Sequence, residues 1–133
     1  MIVDSSVMIA ILTDEEDGLE LSHALDRPEI VRLSAASYLE TSIVLDKHRE
    51  PVLSAKLDEL ILDSEIIIEP VTVAQARVAR QAYRDYGKGS GHPANLNFGD
   101  CFTYALARDK REPVLYKGDD FVHTDLRSAL QQP

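Results

Sequence analysis

The opening stretch MIVDSSVMIAIL, Met1 to Leu12, decides how the chain reads. Ile2-Val3 is a short apolar run that stops at Asp4-Ser5-Ser6, residues whose side chains accept hydrogen bonds from the free amides of a first helical turn. Six apolar residues, Val7 to Leu12, follow without a break. The stretch predicts a strand, an N-cap and a helix, with Asp4 at the carboxyl end of the strand.

The same unit recurs along the chain. After the acidic stretch Asp14 to Asp17, Leu19 to Leu25 continue as a helix that Pro28 closes. Ile30 to Ser34 reads as a second strand, and Ser34 or Ser37 caps a helix in which Leu39, Ile43 and Val44 share one side. Pro51 suits the first turn of a further helix reaching about Leu62. Ile66-Ile67-Ile68 reads as a buried strand that stops at Glu69-Pro70, and Thr72 caps a helix running to about Tyr86. The glycine-rich stretch Gly87 to Asn95 is the one clear loop. A helix resumes at about Gly99-Asp100 and runs to Asp109, and Pro113 to Tyr116 supplies a last strand. No repeat, low-complexity tract or linker interrupts the pattern, so residues 1–133 read as one domain. Strands alternating with helices predict a three-layer α/β/α fold around a mostly parallel sheet, because a parallel pair needs a crossover. Ligands of such sheets bind beyond the carboxyl ends of the strands, where Asp4 and the pair Asp119-Asp120 fall.

The chain has 133 residues, 23 acids against 14 bases and a formal net charge of -9. That balance excludes a broadly basic nucleic-acid-binding face, while leaving room for a cation-bridged phosphate or a basic partner protein. No apolar run approaches the roughly 20 residues that cross a bilayer, and no basic region precedes the first apolar stretch. A single cysteine, Cys101, cannot form an internal disulfide. The expectation is a soluble, unprocessed, cytoplasmic protein.

Each acid has a plain reading of its own. Asp4 and Asp100 can cap helices, and Asp119 and Asp120 can serve the turn after Gly118. Glu40 resists such a reading, since Ala36 and Val44 one turn to either side place it on a largely apolar helix face with no lysine or arginine within a turn. A buried carboxylate costs several kcal/mol unless it is paired or binds a cation. Acids at the ends of elements on one sheet edge, with one more on an inward helix face, form an oxygen-ligand set suited to Mg²⁺ or Mn²⁺. A divalent ion would also relieve the repulsion of Asp119 and Asp120. The histidines His23, His48, His92 and His123 show no paired-ligand spacing and read as surface or loop residues, and Cys101 reads as a small buried apolar residue. Arg77, Arg80, Arg84 and Lys88 recur at helical spacing, as a solvated face or as a track for the phosphates of a nucleic acid. Tyr83 and Tyr86 read as packing residues before base-stacking ones.

The stretches MIVDSSVMIAIL, SAASYLETSIVL with Glu40, NFGDCFTYALA with Asp100 and VLYKGDDFVHTDL with Asp119 and Asp120 together resemble the PIN-domain ribonucleases, and within them the VapC toxins of bacterial toxin–antitoxin modules. The four stretches follow the family's order over nearly the whole chain. The resemblance implies a Mg²⁺- or Mn²⁺-dependent endoribonuclease in which Asp4, Glu40, Asp100 and Asp119 are catalytic metal-holding residues, with Asp120 also eligible as the fourth acid. Ser6, before Ser5, is similar to the family's small hydroxyl residue near the first acid. It further implies an RNA substrate, a VapB-like antitoxin, a homodimer and a toxin–antitoxin hetero-oligomer.

Two other readings compete. A haloacid-dehalogenase-like phosphatase also carries an early aspartate and a late Gly-Asp-Asp, but it needs a second aspartate where Ser6 stands, and a receiver domain needs a strand-ending aspartate where Asp46 falls within a predicted helix. A non-catalytic PIN-like binding module would not need the full acid set.

Overall fold

A computed structural model of the chain describes residues 1–27 and 30–130. Asp4 accepts from the Ser6 amide and so separates β1 (Ile2–Val3) from α1 (Ser5–Leu12) as the sequence predicts. Then come α2 (Gly18–Leu25), β2 (Val31–Ser34), α3 (Ala35–Asp46), α4 (Pro51–Asp63), β3 (Ile66–Glu69), α5 (Val73–Tyr86), α6 (Phe98–Lys110), β4 (Val114–Leu115) and a 3₁₀ turn, Phe121–His123. Ser34 and Thr72 cap α3 and α5 through their hydroxyls. Pro28, read as the stop of α2, lies outside the described residues.

The four strands are parallel in the order β3-β2-β1-β4. Ile2 pairs with both Arg32 and Val114, and Val3 with Leu115. The chain steps outward from β1 to β2 to β3, then returns to the other side of β1 for β4. The strand order therefore reverses between β1 and β4, where an open α/β sheet leaves a crevice at its carboxyl edge.

Alternation along the strands sorts the core into two faces. Val3, Val31, Leu33 and Leu115 pack with Val7 and Met8 of α1, Leu21 and Leu25 of α2, Leu45 of α3 and Leu57 of α4. Ile2 and Val114 point the other way, onto Leu106 and Ala107 of α6. α5 packs on α6 with Ala79 and Ala82 near Cys101, Tyr104 and Ala105, small side chains that let the two helices approach closely.

Two expectations change. β3 is an edge strand rather than a buried one: Ile66 is 7% exposed but Ile67 and Ile68 are 44% and 40% exposed, because β3 has a neighbour on one side only. α6 starts at Phe98, and its N-cap is Asn97 rather than Asp100. Asp100 occupies the third helical position and completes a capping box, its carboxylate accepting from the Asn97 amide at 3.0 Å while its own amide donates to Asn97 Oδ1 at 2.9 Å.

Candidate metal centre at the carboxyl edge of the sheet

Asp4 is placed by β1 and oriented by two donors. Its Oδ2 accepts from the Ser6 amide at 3.1 Å and its Oδ1 from the Thr103 hydroxyl at 2.6 Å. The residue is only 3% exposed. Glu40 comes in from α3, where its Oε1 accepts from the Ser5 hydroxyl at 2.7 Å. Its carboxylate rests on the Cα of Gly99, so close that a Cβ at position 99 would collide with it. Asp100 therefore begins one residue from the place where Glu40 ends.

Asp100 shows how crowded the site is. Its carboxyl pKa is raised from the ordinary 3.8 to about 7, first by burial and then by the nearby charges of Asp4 and Asp120 and a hydrogen bond with Asp120, against the opposing pull of the Asn97 amide. Asp120 is among the acids that raise it, and Asp119, the sequence-based first choice, is not. Phe121, the residue after Asp120, is buried at 2% exposure.

The serines divide their work differently from the expectation. Ser6 caps Asp4 with its amide, while its hydroxyl accepts from the Lys117 amide at 3.1 Å and so ties the turn after β4 to α1. The hydroxyl that reaches an acid is that of Ser5. Ser5 was the second choice after Ser6, whereas Asn97, Gly99 and Thr103 carry contacts to the acids that the sequence reading did not name. Thr103 carried a legible signal, since it lies three residues after Asp100 and hence on the same side of α6.

The arrangement can hold a hard cation. Its donors are all carboxylate and hydroxyl oxygens, and the crowding that raises Asp100 is the condition a divalent ion relieves. Among the described residues no three carboxylate, imidazole or thiol groups stand close enough together to enclose an ion, and the acids adjoin in pairs instead. This suits an ion that keeps several waters and takes one or two carboxylates, the habit of Mg²⁺, better than one needing a complete protein cage. His23, His48 and His123 are exposed, and His92 Nδ1 accepts from the Ala94 amide while its ring meets Tyr86 edge-on at 4.9 Å. Cys101 is buried, its thiol pushed up to about 11 by burial and by Asp100, which rules out a thiolate nucleophile near neutral pH.

Two clefts share Phe98 and Phe102 near the start of α6. One, of about 500 Å³, runs between α5 and α6, with Arg80, Tyr83 and Arg84 on one wall and Phe98 and Phe102 on the other. The second, of about 550 Å³, shares Phe98 and Phe102 and is bordered by Leu39, Ile43 and Glu40 itself. Arg77, Arg80, Arg84 and Lys88 are all exposed. Tyr83 lines the first cleft and donates from its hydroxyl to the Lys88 carbonyl, whereas Tyr86 packs into the core beside Tyr104. A third cleft, among Arg108, Arg111, Asp125 and Arg127, lies at the far end of α6 and touches none of the four site acids.

The chain was compared with known proteins. A family model described as PIN domain matches residues 1–126. Ribonuclease VapC28 of Mycobacterium tuberculosis is 60% identical over 132 residues, 99% of each chain. Ribonuclease VapC42 of the same species is 49% identical over 129 residues, 97% of this chain and 98% of that one. The crystal structure of M. tuberculosis VapC20, described as a sarcin-ricin loop cleaving toxin, aligns with a TM-score of 0.74 over 94% of this chain and 95% of that one. At 18% identity that last likeness is one of fold.

Proposed function

The chain belongs to the PIN-domain family, and from that premise we propose that it is a VapC-type endoribonuclease, the toxin of a type II toxin–antitoxin pair, with Asp4, Glu40, Asp100 and Asp120 holding Mg²⁺. One observation supports this reading: at the edge where the strand order reverses, Asp100 feels the charges of Asp4 and Asp120, and Glu40 lies against its neighbour Gly99. Mn²⁺ fits the same donors, and Asp119, next to Asp120 in the chain, remains the alternative fourth acid.

When bound, the cation supplies a nucleophilic water at neutral pH and stabilises charge on the departing oxygen of the phosphodiester. The protein's part is positioning. Ser6 and Thr103 fix Asp4 from two sides, Ser5 fixes Glu40, and the Asn97 amide holds one oxygen of Asp100. Asp100 must release the proton that crowding makes it keep near neutral pH before both its oxygens can serve. Arg77, Arg80, Arg84 and Lys88 offer cations along α5 to an RNA backbone entering the crevice, which reconciles an acidic protein with a polyanionic substrate.

The cleft between α5 and α6, walled by Phe98 and Phe102, offers apolar surface to a VapB-like antitoxin, and the exposed Leu39 and Ile43 of the second cleft offer it to a second copy of the chain in a homodimer or hetero-oligomer. Among the described residues no helix is long and apolar enough to cross a membrane, and we place the activity in the cytoplasm.

The test is to incubate the protein with total RNA and Mg²⁺, map the new ends, and repeat with Asp4→Asn and Asp100→Asn. Discrete ends that vanish in both variants are expected. Cleavage by the variants at the wild-type rate would remove the assignment.

A further inference from the structure

A second layer of side chains lies directly beneath the acids, and it is made of hydroxyls. Thr103, 0% exposed, sits one turn along α6 from Asp100, and Ser37, 2% exposed, sits one turn before Glu40 on α3. The two hydroxyl oxygens are 3.3 Å apart, and Thr103 Oγ1 is 2.6 Å from Asp4 Oδ1. A carboxylate oxygen only accepts, so the single Thr103 hydrogen goes to Asp4, and Ser37 must donate on the other contact. The hydrogen bonds therefore run in one direction, from Ser37 through Thr103 to Asp4. They join the helix that carries Glu40 and the helix that carries Asp100 to the acid that ends β1.

Packing alone gives no reason for this layer. A valine has nearly the shape of a threonine and would fill the space beneath Asp4 without burying a polar group, which is costly unless every hydrogen bond is made. What the hydroxyl adds is a fixed direction for the Asp4 carboxylate.

Resting on the reading of the acids as a cation site, we infer that Thr103 is a positioning residue that holds Asp4 in its cation-binding orientation, with Ser37 acting through it. Hydrogen-bonding partners of this kind are worth about 10–100-fold in metal affinity or activity.

The experiment uses the full chain and Mn²⁺ alone as the probe, titrated calorimetrically well below the melting temperature, with RNA cleavage measured in parallel. Thr103→Val is expected to fold, to bind Mn²⁺ about 10–100-fold more weakly and to lose cleavage to a similar extent. Thr103→Ser restores both to within about threefold, which a loss of packing would not do, since serine is the smaller residue. Ser37→Ala weakens Mn²⁺ binding by a smaller factor, and adding it to Thr103→Val costs nothing further, because its route to Asp4 is already cut.

Wild-type Mn²⁺ affinity in Thr103→Val, or failure of Thr103→Ser to restore it, would overturn the inference. Should Thr103→Val not fold, unchanged affinity in Ser37→Ala decides against it equally. If the wild type binds Mn²⁺ but cuts no RNA, the ribonuclease reading fails alone, and the valine–serine contrast in Mn²⁺ binding still tests the role of Thr103.

Discussion

At Asp100 the fold holds a carboxyl whose pKa, about 7, lies well above the ordinary 3.8 because burial and two neighbouring acids disfavour its charge. Between those values the folded chain keeps a proton that the unfolded chain has released. The resulting stability is full at pH values below the unfolded pKa and is lost as pH rises through about 7. Urea melts without divalent ions should therefore show stability falling across this window, and Asp100→Asn should remove that component of the slope. At pH 8 the variant should be the more stable protein, by about 1–2 kcal/mol once solvent screening of the half-buried group is allowed for, while being inactive. A variant less stable than wild type at pH 8 would contradict the crowding. Gly99 makes a parallel case. Alanine is the better helix residue by up to about 1 kcal/mol, yet its Cβ would meet the Glu40 carboxylate, the movable end of a flexible side chain. Gly99→Ala should melt no lower than wild type and cleave RNA about 10–100-fold more slowly, because a carboxylate displaced by an ångström is misplaced for its task. Melting curves and initial rates on the same preparation check both halves.

Among the elements, those set by local chemistry were legible and those set by neighbours were not. Ser34 and Thr72 cap α3 and α5 as read, because a hydroxyl satisfying a free amide involves residues two or three apart. Asn97 follows a glycine-rich loop and reads as its continuation, so the sequence offers Asp100 as the possible cap, a role it only reinforces. The exposure of Ile67 and Ile68 could not be read, since an edge strand and a central one share the same composition. Nor could the bond from Thr103 to Asp4, which spans 99 positions. The helical spacing of Arg77, Arg80 and Arg84 was legible, and α5 turns all three to solvent, with Arg80 and Arg84 bordering the cleft between α5 and α6. Each phosphate neutralised on a single strand contributes about 0.7 to the slope of log affinity against log salt. In an Asp100→Asn background, where RNA is bound and not cut, replacing Arg80 and Arg84 by glutamine should lower that slope by about 1–1.5. An unchanged slope would assign α5 to a solvated face.

For the molecule as a whole, the cation site is where its separate parts are joined. Asp4 belongs to β1, Glu40 to α3, Asp100 to α6 and Asp120 to the turn after β4, so an ion shared among them links the core face packed on α1 to α4 with the face packed on α6. In its absence the like charges push these same elements apart. An ion that binds only the folded chain adds about 2.7 kcal/mol at a hundredfold excess over its dissociation constant. For a chain of 133 residues this corresponds to a rise in melting temperature of about 5–10 °C. A net charge of -9 will attract divalent ions loosely over the whole surface as well, so the comparison must separate a site from a cloud. Calorimetric scans in Mg²⁺ and in NaCl of matched ionic strength should show the rise in Mg²⁺ alone. In Asp4→Asn the Mg²⁺ and NaCl curves should coincide, because the acid at the centre of the hydrogen-bonded framework is gone while the surface charge has changed by one unit in a large excess. A Mg²⁺ effect that survives Asp4→Asn undiminished would put the ion on the outer surface and leave the four acids without the partner their convergence requires.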